Sequence, residues 1–205
     1  MSRPVKWLSR AVAVLTLLWL APLPALAVTL DFEDLALGTT YNFGAFFTTN
    51  GVPIDVEAFQ FSGGGFGANF AQVDGNQNAG GSGNDLEINN VLLDFGLPAG
   101  TTSISFLFGE FGGNLNLNIN GDFRNFENFQ DIDGLSIGGV NANLVSGGLG
   151  NDQGRIEFAG GPIALFKLGG QELWIDNVNA MPEPTTLLLI LSGILGLALY
   201  GGSRA

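Results

Sequence analysis

The sequence predicts an all-β domain, an antiparallel jelly-roll-like sandwich, and three observations carry that prediction. Residues Asn114 to Asn120 read NLNLNIN, with Leu115, Leu117 and Ile119 alternating strictly with asparagine, as in a strand that buries one face. Glycine, at 32 positions, and asparagine cut the chain into many short segments. No helical period occurs between the two ends of the chain. A solenoid would need a repeat of fixed length, and there is none.

Taken in order, the predicted strands are Thr29 to Glu33, Ile54 to Phe61, Phe70 to Val73, and Leu86 to Phe95 with a break at Asn89-Asn90. Next comes Ile104 to Phe108, where Ile104, Phe106 and Phe108 alternate with Ser103 and Ser105. Gly109 to Gly113 then reads as a turn, so this run is expected to pair with Asn114 to Asn120. Asn120-Gly121 closes that second run with a type I′ hairpin signal. Leu115, Leu117 and Ile119 are expected inward, and Asn114, Asn116, Asn118 and Asn120 form one exposed stripe, able to meet polysaccharide hydroxyls or simply to stay wet. The remaining strands are Val140 to Val145, Arg155 to Phe158, Ile163 to Lys167 and Glu172 to Val178, separated by turn residues. All 17 phenylalanines fall between residues 28 and 180, enough for a hydrophobic core and against disorder.

Both ends of the chain read as membrane-directed. Arg3, Lys6 and Arg10 precede an apolar stretch from Ala11 to Ala21, and Ala25-Leu26-Ala27 is a small-x-small cleavage site. Residues 1–27 are therefore a signal peptide for signal peptidase, Pro22 and Pro24 counting against a permanent membrane helix, and the mature chain begins at Val28. Residues 181–205 read MPEPTTLLLILSGILGLALYGGSRA. Its uncharged run from Thr185 to Tyr200 has no polar face and rises about 24 Å as a helix, a marginal membrane segment.

The order Pro182-Glu183-Pro184, apolar run, Arg204 closely resembles the PEP-CTERM sorting signal of exported proteins in Gram-negative bacteria. The resemblance implies recognition in the inner membrane by an exosortase-type protease, cleavage near Pro-Glu-Pro, and delivery to the outer surface or an extracellular polysaccharide matrix. More loosely, Gln153 to Val178, through GGQELWIDNV, resembles the end of domains commonly joined to such tails. That implies an exported β domain in residues 28–180.

Composition narrows the chemistry of that domain. Arg124, Arg155 and Lys167 are its only cations against 18 of the chain's 19 acids, a formal charge of −15. Three scattered cations cannot hold a phosphate backbone, so nucleic acid is excluded as a partner. Histidine and cysteine are absent from the whole chain, which removes Ser-His-Asp triads, Cys-His dyads, zinc fingers and disulfides. Glycoside hydrolysis needs only two carboxylates, and Asp55 with Glu57 or Asp131 with Asp133 are pairs on paper. Acids two apart on a strand share a face, whereas a catalytic pair flanks a cleft, so the expectation is a non-enzymatic protein.

Two acidic groups offer hard oxygen ligands for calcium. In the loop DGNQNAGGSGND, Asp74, Asn76, Asn78 and Asp85 stand at positions one, three, five and twelve, near EF-hand spacing, although Ala79 holds the sixth position and no helices flank it. Gly80 to Asp85 also imitates a single RTX-type repeat, without a second copy to stack on. Near the chain ends, Asp31, Glu33 and Asp34 could meet Asp176 and Asn177 if the first and last strands are neighbours. Each group also reads as ordinary solvated surface, with Leu30 and Phe32 turned inward. A calcium-dependent carbohydrate-binding module is the alternative function, and Trp174, Tyr41, Phe123, Phe126 and Phe129, with Arg124, Asn125 and Asn128, are its aromatic and polar candidates. Core packing is the competing use of those phenylalanines.

Overall fold

The computed structural model describes residues 26–182 and the single position Gly193. Ala25, Glu183, Pro184 and Arg204 lie outside the described residues, as does the 185–200 run apart from Gly193. Ala27 and Pro182 lie within them.

Glycine and asparagine turns divide the domain into sixteen strands. They are β1 (Val28–Leu30), β2 (Thr40–Asn42), β3 (Phe46–Thr49), β4 (Val52–Gln60), β5 (Phe66–Gly67), β6 (Phe70–Asp74), β7 (Asp85–Asn89) and β8 (Val91–Phe95). There follow β9 (Thr101–Glu110), β10 (Leu115–Ile119), β11 (Asp122–Phe126), β12 (Ser136–Ile137), β13 (Val140–Ser146), β14 (Asp152–Ala159), β15 (Phe166–Gly170) and β16 (Leu173–Pro182). A 3-10 turn, Phe129–Ile132, precedes β12. Among the described residues no helix is long and apolar enough to cross a membrane.

The strands form two antiparallel sheets packed as a sandwich. One runs β12-β13-β14-β9-β16-β7-β6-β2, with β1 also on β16, and the other runs β11-β10-β15-β8-β4-β3, with β5 on β4. Their inner faces meet in a phenylalanine-rich core. Phe106 lies within 5.9–6.2 Å, ring centre to ring centre, of Phe129, Phe158 and Phe166. Each fully buried ring of this kind contributes roughly 1.5–3 kcal/mol.

The break expected at Asn89-Asn90 is present, and it is where the chain leaves one sheet for the other. Asn90 takes a left-handed backbone (φ 52°), and its N–H donates to Gly170 O at 2.8 Å. The hairpin at Asn120-Gly121 is also as expected: both residues have positive φ, and Ile119 pairs with Asp122.

Two expectations are corrected. β9 does not pair with β10; β9 lies between β14 and β16 in one sheet, while β10 lies between β11 and β15 in the other. Each run has an apolar face, and those faces meet across the core instead of lying side by side. Gly109 to Gly113 therefore contributes to a crossover, not a hairpin turn.

The asparagine stripe is not an open surface. Asn116 is fully buried; its Oδ1 accepts from Gln60 N (2.7 Å) and its Nδ2 donates to Gln60 O (2.9 Å). Asn114 Oδ1 accepts from Ser62 Oγ, and Asn118 Oδ1 accepts from Gly121 N within the hairpin. Asn120 donates to Gly138 O and Pro162 O and accepts from Ala164 N. The end of β4 and its following loop cover part of this face, so the amides bond to backbone that would otherwise lack partners.

Candidate metal centre

Strand register brings the two acidic groups of the sequence into one place. β16 pairs on one side with β7 over Leu173–Ile175 and with β1 over Val178–Ala180. At the junction, Asp176 and Asn177 sit in an irregularity of the β16–β9 ladder, Asn177 with φ 50°. Ile175 faces Leu86, so one further step sets Asp176 opposite Asp85; Leu30 faces Val178, so one further step sets Asp31 opposite Asn177. The loop between β6 and β7 folds over this gap.

Asp85 and Asp176 are each only 1% exposed. Asp85 Oδ2 accepts from Ala79 N at 3.0 Å, whereas its buried Oδ1 accepts no hydrogen bond from any described residue. Asp176 accepts from the backbone and side-chain nitrogens of Asn177 (2.6 and 2.9 Å). Glu33 Oε1 accepts from Asn84 N at 2.6 Å, and Asn84 Nδ2 bonds to Phe32 O and Leu35 O, tying the loop to the turn after β1. Leu30 and Phe32 are buried, as expected, although Phe32 turns inward from a left-handed turn (φ 58°) and not from a strand.

Burial pushes the Asp176 carboxyl up to about 6, helped by the charges of Asp85, Asp31 and Glu33. Burial likewise raises Asp85, with Asp74 adding to the effect. No cation of the domain answers this charge. Lys167 bridges Glu57 and Asp94 (2.7 and 2.9 Å), Arg124 pairs with Asp122 (2.7 Å), and Arg155 reaches Ser105 Oγ (3.4 Å).

Not every predicted ligand is brought in. Asp74 stands directly across from Asp85 in the β6–β7 ladder, but its oxygens are taken up by Gly75 N, Asn76 N, Asn76 Nδ2 and Trp174 Nε1, so it organises its own turn. Asn76 and Asn78 direct their amide nitrogens at Asp74, and the EF-hand-like set of four does not form. Asp34 is drawn away to the β3–β4 turn, accepting from Thr49 Oγ1 (2.6 Å) and Asn50 N (2.8 Å). As the side chains stand, no three acids among the described residues form a ready metal cage. What the junction holds is two buried carboxylates, two more beside them, and one oxygen without a partner.

Two glycines of the RTX-like run shape this junction, through close approach and not through a repeat. A β carbon on Gly81 would collide with the Asp176 carboxylate, and one on Gly83 with that of Glu33. Gly81→Ala is therefore expected to push the loop off the strand ends and lower the melting temperature by several degrees, as read by circular dichroism. An unchanged melt would show that the loop does not need this close approach.

All but one of the aromatic candidates serve structure. Tyr41 stacks on Phe47 at 3.9 Å, and Trp174 meets Phe111 edge-on at 5.3 Å while its Nε1 bonds Asp74. Phe129 is buried, Phe126 packs on the core, and Phe123 alone of the three is exposed. Among the polar candidates, Arg124 is held by Asp122 and Asn125 Nδ2 donates to Gln60 O. The chain matches no family model, no curated protein and no solved structure.

Proposed function

We propose that this chain is an exported, non-enzymatic β-sandwich protein of a Gram-negative bacterium, sorted through the inner membrane by an exosortase-type protease. Its destination is the outer surface or the extracellular polysaccharide matrix. The observation that carries the reading is where the predicted signals meet the sandwich. β1 opens at Val28, directly after the predicted cleavage site, and β16 carries its sheet as far as Pro182, the first residue of the sorting motif and the last of the continuous described stretch. Val28 pairs with Ala180, so both signals leave the domain from adjacent strands. The jelly-roll form of the sandwich is part of this proposal, supported by the chain's repeated passage from sheet to sheet.

Three of the four carboxylates considered for hydrolysis have structural partners, and Asp55 is exposed beside Glu57 on one strand, which supports a non-enzymatic reading. Glu57 is bound to Lys167, Asp133 accepts from Leu144 N, and Asp131 accepts from Asn128 N. Calcium at the Asp31, Glu33, Asp85 and Asp176 junction is the proposed structural ion. Hard oxygen donors in an irregular loop suit it, and the partnerless Asp85 Oδ1 supports it. A calcium-dependent carbohydrate-binding role is the second reading; the polar cleft described below favours its carbohydrate part, and its calcium part rests on the strand junction alone.

Processing tests the sorting proposal. Protein recovered from the cell surface is expected to have an intact mass lacking residues 1–27 and the apolar run after Pro-Glu-Pro. Retention of Tyr200 in that form would count against exosortase cleavage. Glu183→Ala is expected to block processing, and normal export of that variant would mean the motif is not what is read.

A further inference from the structure

Away from the metal junction, the C-terminal end of β9 opens into a cleft of about 520 Å³, a volume ordinary for a small-ligand site. Ser62, Glu110, Asn114, Glu127, Asn128 and Asn151 line it. These residues come from four separate segments, and only Glu110 lies in a strand.

Two polar groups in this lining have bonding capacity that the fold leaves unused. Glu110 is 1% exposed, and its Oε2 accepts from Phe129 N at 3.1 Å. Burial holds its carboxyl up to about 7, with Asp152 and Asp131 adding to the shift, so near neutrality it both donates and accepts. Asn128 Oδ1 is buried and faces the Asp131 N–H in a capping box at the start of the 3-10 turn, without making a full hydrogen bond to it or to any other described residue. A buried acceptor left unpaired costs about 1–3 kcal/mol, which a ligand hydroxyl would recover. Asn114 Oδ1 is taken by Ser62 Oγ at 2.7 Å, which orients its amide nitrogen as a donor.

The chemistry of the lining selects the ligand. Among the described residues no lysine or arginine faces the cleft, while Glu110 and Glu127 do, so a phosphate, sulfate or uronate would meet only like charge there. Amides and carboxyl groups without a cation match a dense array of hydroxyls. We infer that this cleft is a binding site for a neutral polysaccharide, gripped by hydrogen bonds to its hydroxyls. The inference rests on the carbohydrate-binding reading above and names its site and ligand class; it does not depend on calcium at the strand junction. With no aromatic platform in the lining, binding is weak at a single cleft and gains strength from many copies on one polymer.

The test uses the full chain in detergent, passed over immobilised glucan, galactan and mannan, with polygalacturonate as the anionic control. Retardation on at least one neutral polymer and not on polygalacturonate is expected. Glu127→Ala removes an exposed acceptor, and Ser62→Trp fills the cleft mouth from an exposed position; each is expected to weaken retention at least tenfold while leaving the melting temperature unchanged. Passage through all three neutral columns without delay would overturn the proposal, as would equal retention of both variants or stronger retention on polygalacturonate. Release of reducing ends from the retained polymer would overturn it too, by making the cleft catalytic.

Discussion

Millimolar calcium is expected to raise the melting temperature of the processed protein at pH 7.5 by about 5–10 °C over the same protein in chelator. The size follows from native-state binding, which stabilises by about 2.7 kcal/mol at a hundredfold excess over Kd, and from ~2–4 °C per kcal/mol for a domain of this length. The sign with pH is opposite to that of an ordinary paired carboxylate. Folded Asp176 keeps its proton to about pH 6 and folded Glu110 to about pH 7, whereas unfolded carboxyls release theirs near pH 4. The folded state therefore binds more protons between those values, and metal-free stability falls as pH rises from 4 to 7. Calcium takes over as counter-charge in the same range, so its effect should be large at pH 7.5 and small at pH 5.

Asp176→Asn separates this account from nonspecific screening. Removing one of two buried charges should raise metal-free stability at pH 7.5 while abolishing most of the calcium response. Magnesium should do less, because it demands a near-octahedral shell that an irregular junction supplies poorly. Identical melts with calcium and with chelator would remove the site and leave four carboxylates without a counter-ion.

Leu117→Asp is expected to leave the domain unfolded, or nearly so, at room temperature. Leu117 is fully buried on β10, between Arg124 of β11 and Leu168 of β15. A carboxylate there loses apolar burial and must be desolvated, a cost of several kcal/mol against a total stability of about 5–15. The neighbouring asparagines sort themselves by their bonds. Asn116→Asp keeps the acceptor for Gln60 N but sets a buried carboxylate against Gln60 O, and should cost about 2–4 kcal/mol. Asn118→Asp should cost well under 1 kcal/mol, since a carboxylate accepts from Gly121 N as well as an amide does. Urea titrations of the three variants give the ranking directly. Equal costs for Asn116→Asp and Asn118→Asp would show that Asn116 is not buried against β4.

Turn chemistry was the most legible part of the fold, because a residue at positive φ is selected locally. Asn120-Gly121 and the break at Asn89-Asn90 are visible for that reason. Asn50-Gly51 carries the same signal and closes the β3–β4 hairpin, yet β3 itself has only Phe46 and Phe47 as apolar content, too little for alternation to mark a strand. The strands β2, β5, β11 and β12 were also not expected; most are two or three residues long, too short for alternation to register. Pairing of β9 with β10 was the wrong inference from a right observation. Alternation reports which face is buried, and two adjacent strands of opposing sheets share that property with the two arms of a hairpin.

By itself the sequence determined the β class, the apolar face of β10, the hairpin at Asn120-Gly121 and a domain charge of −15 without histidine or cysteine. Each depends on a residue's own side chain or backbone preference. Only the tertiary structure decided that Asp85 and Asp176 stand together, that Asn116 is interior, and that Glu110 and Asn128 share a cleft. Such facts depend on register between segments 56 to 91 residues apart or on one crossover, and a residue's chemistry does not encode which distant partner it meets. The two acidic motifs looked like rival metal sites for the same reason. They became one when β16 placed β7 and β1 end to end along a single edge.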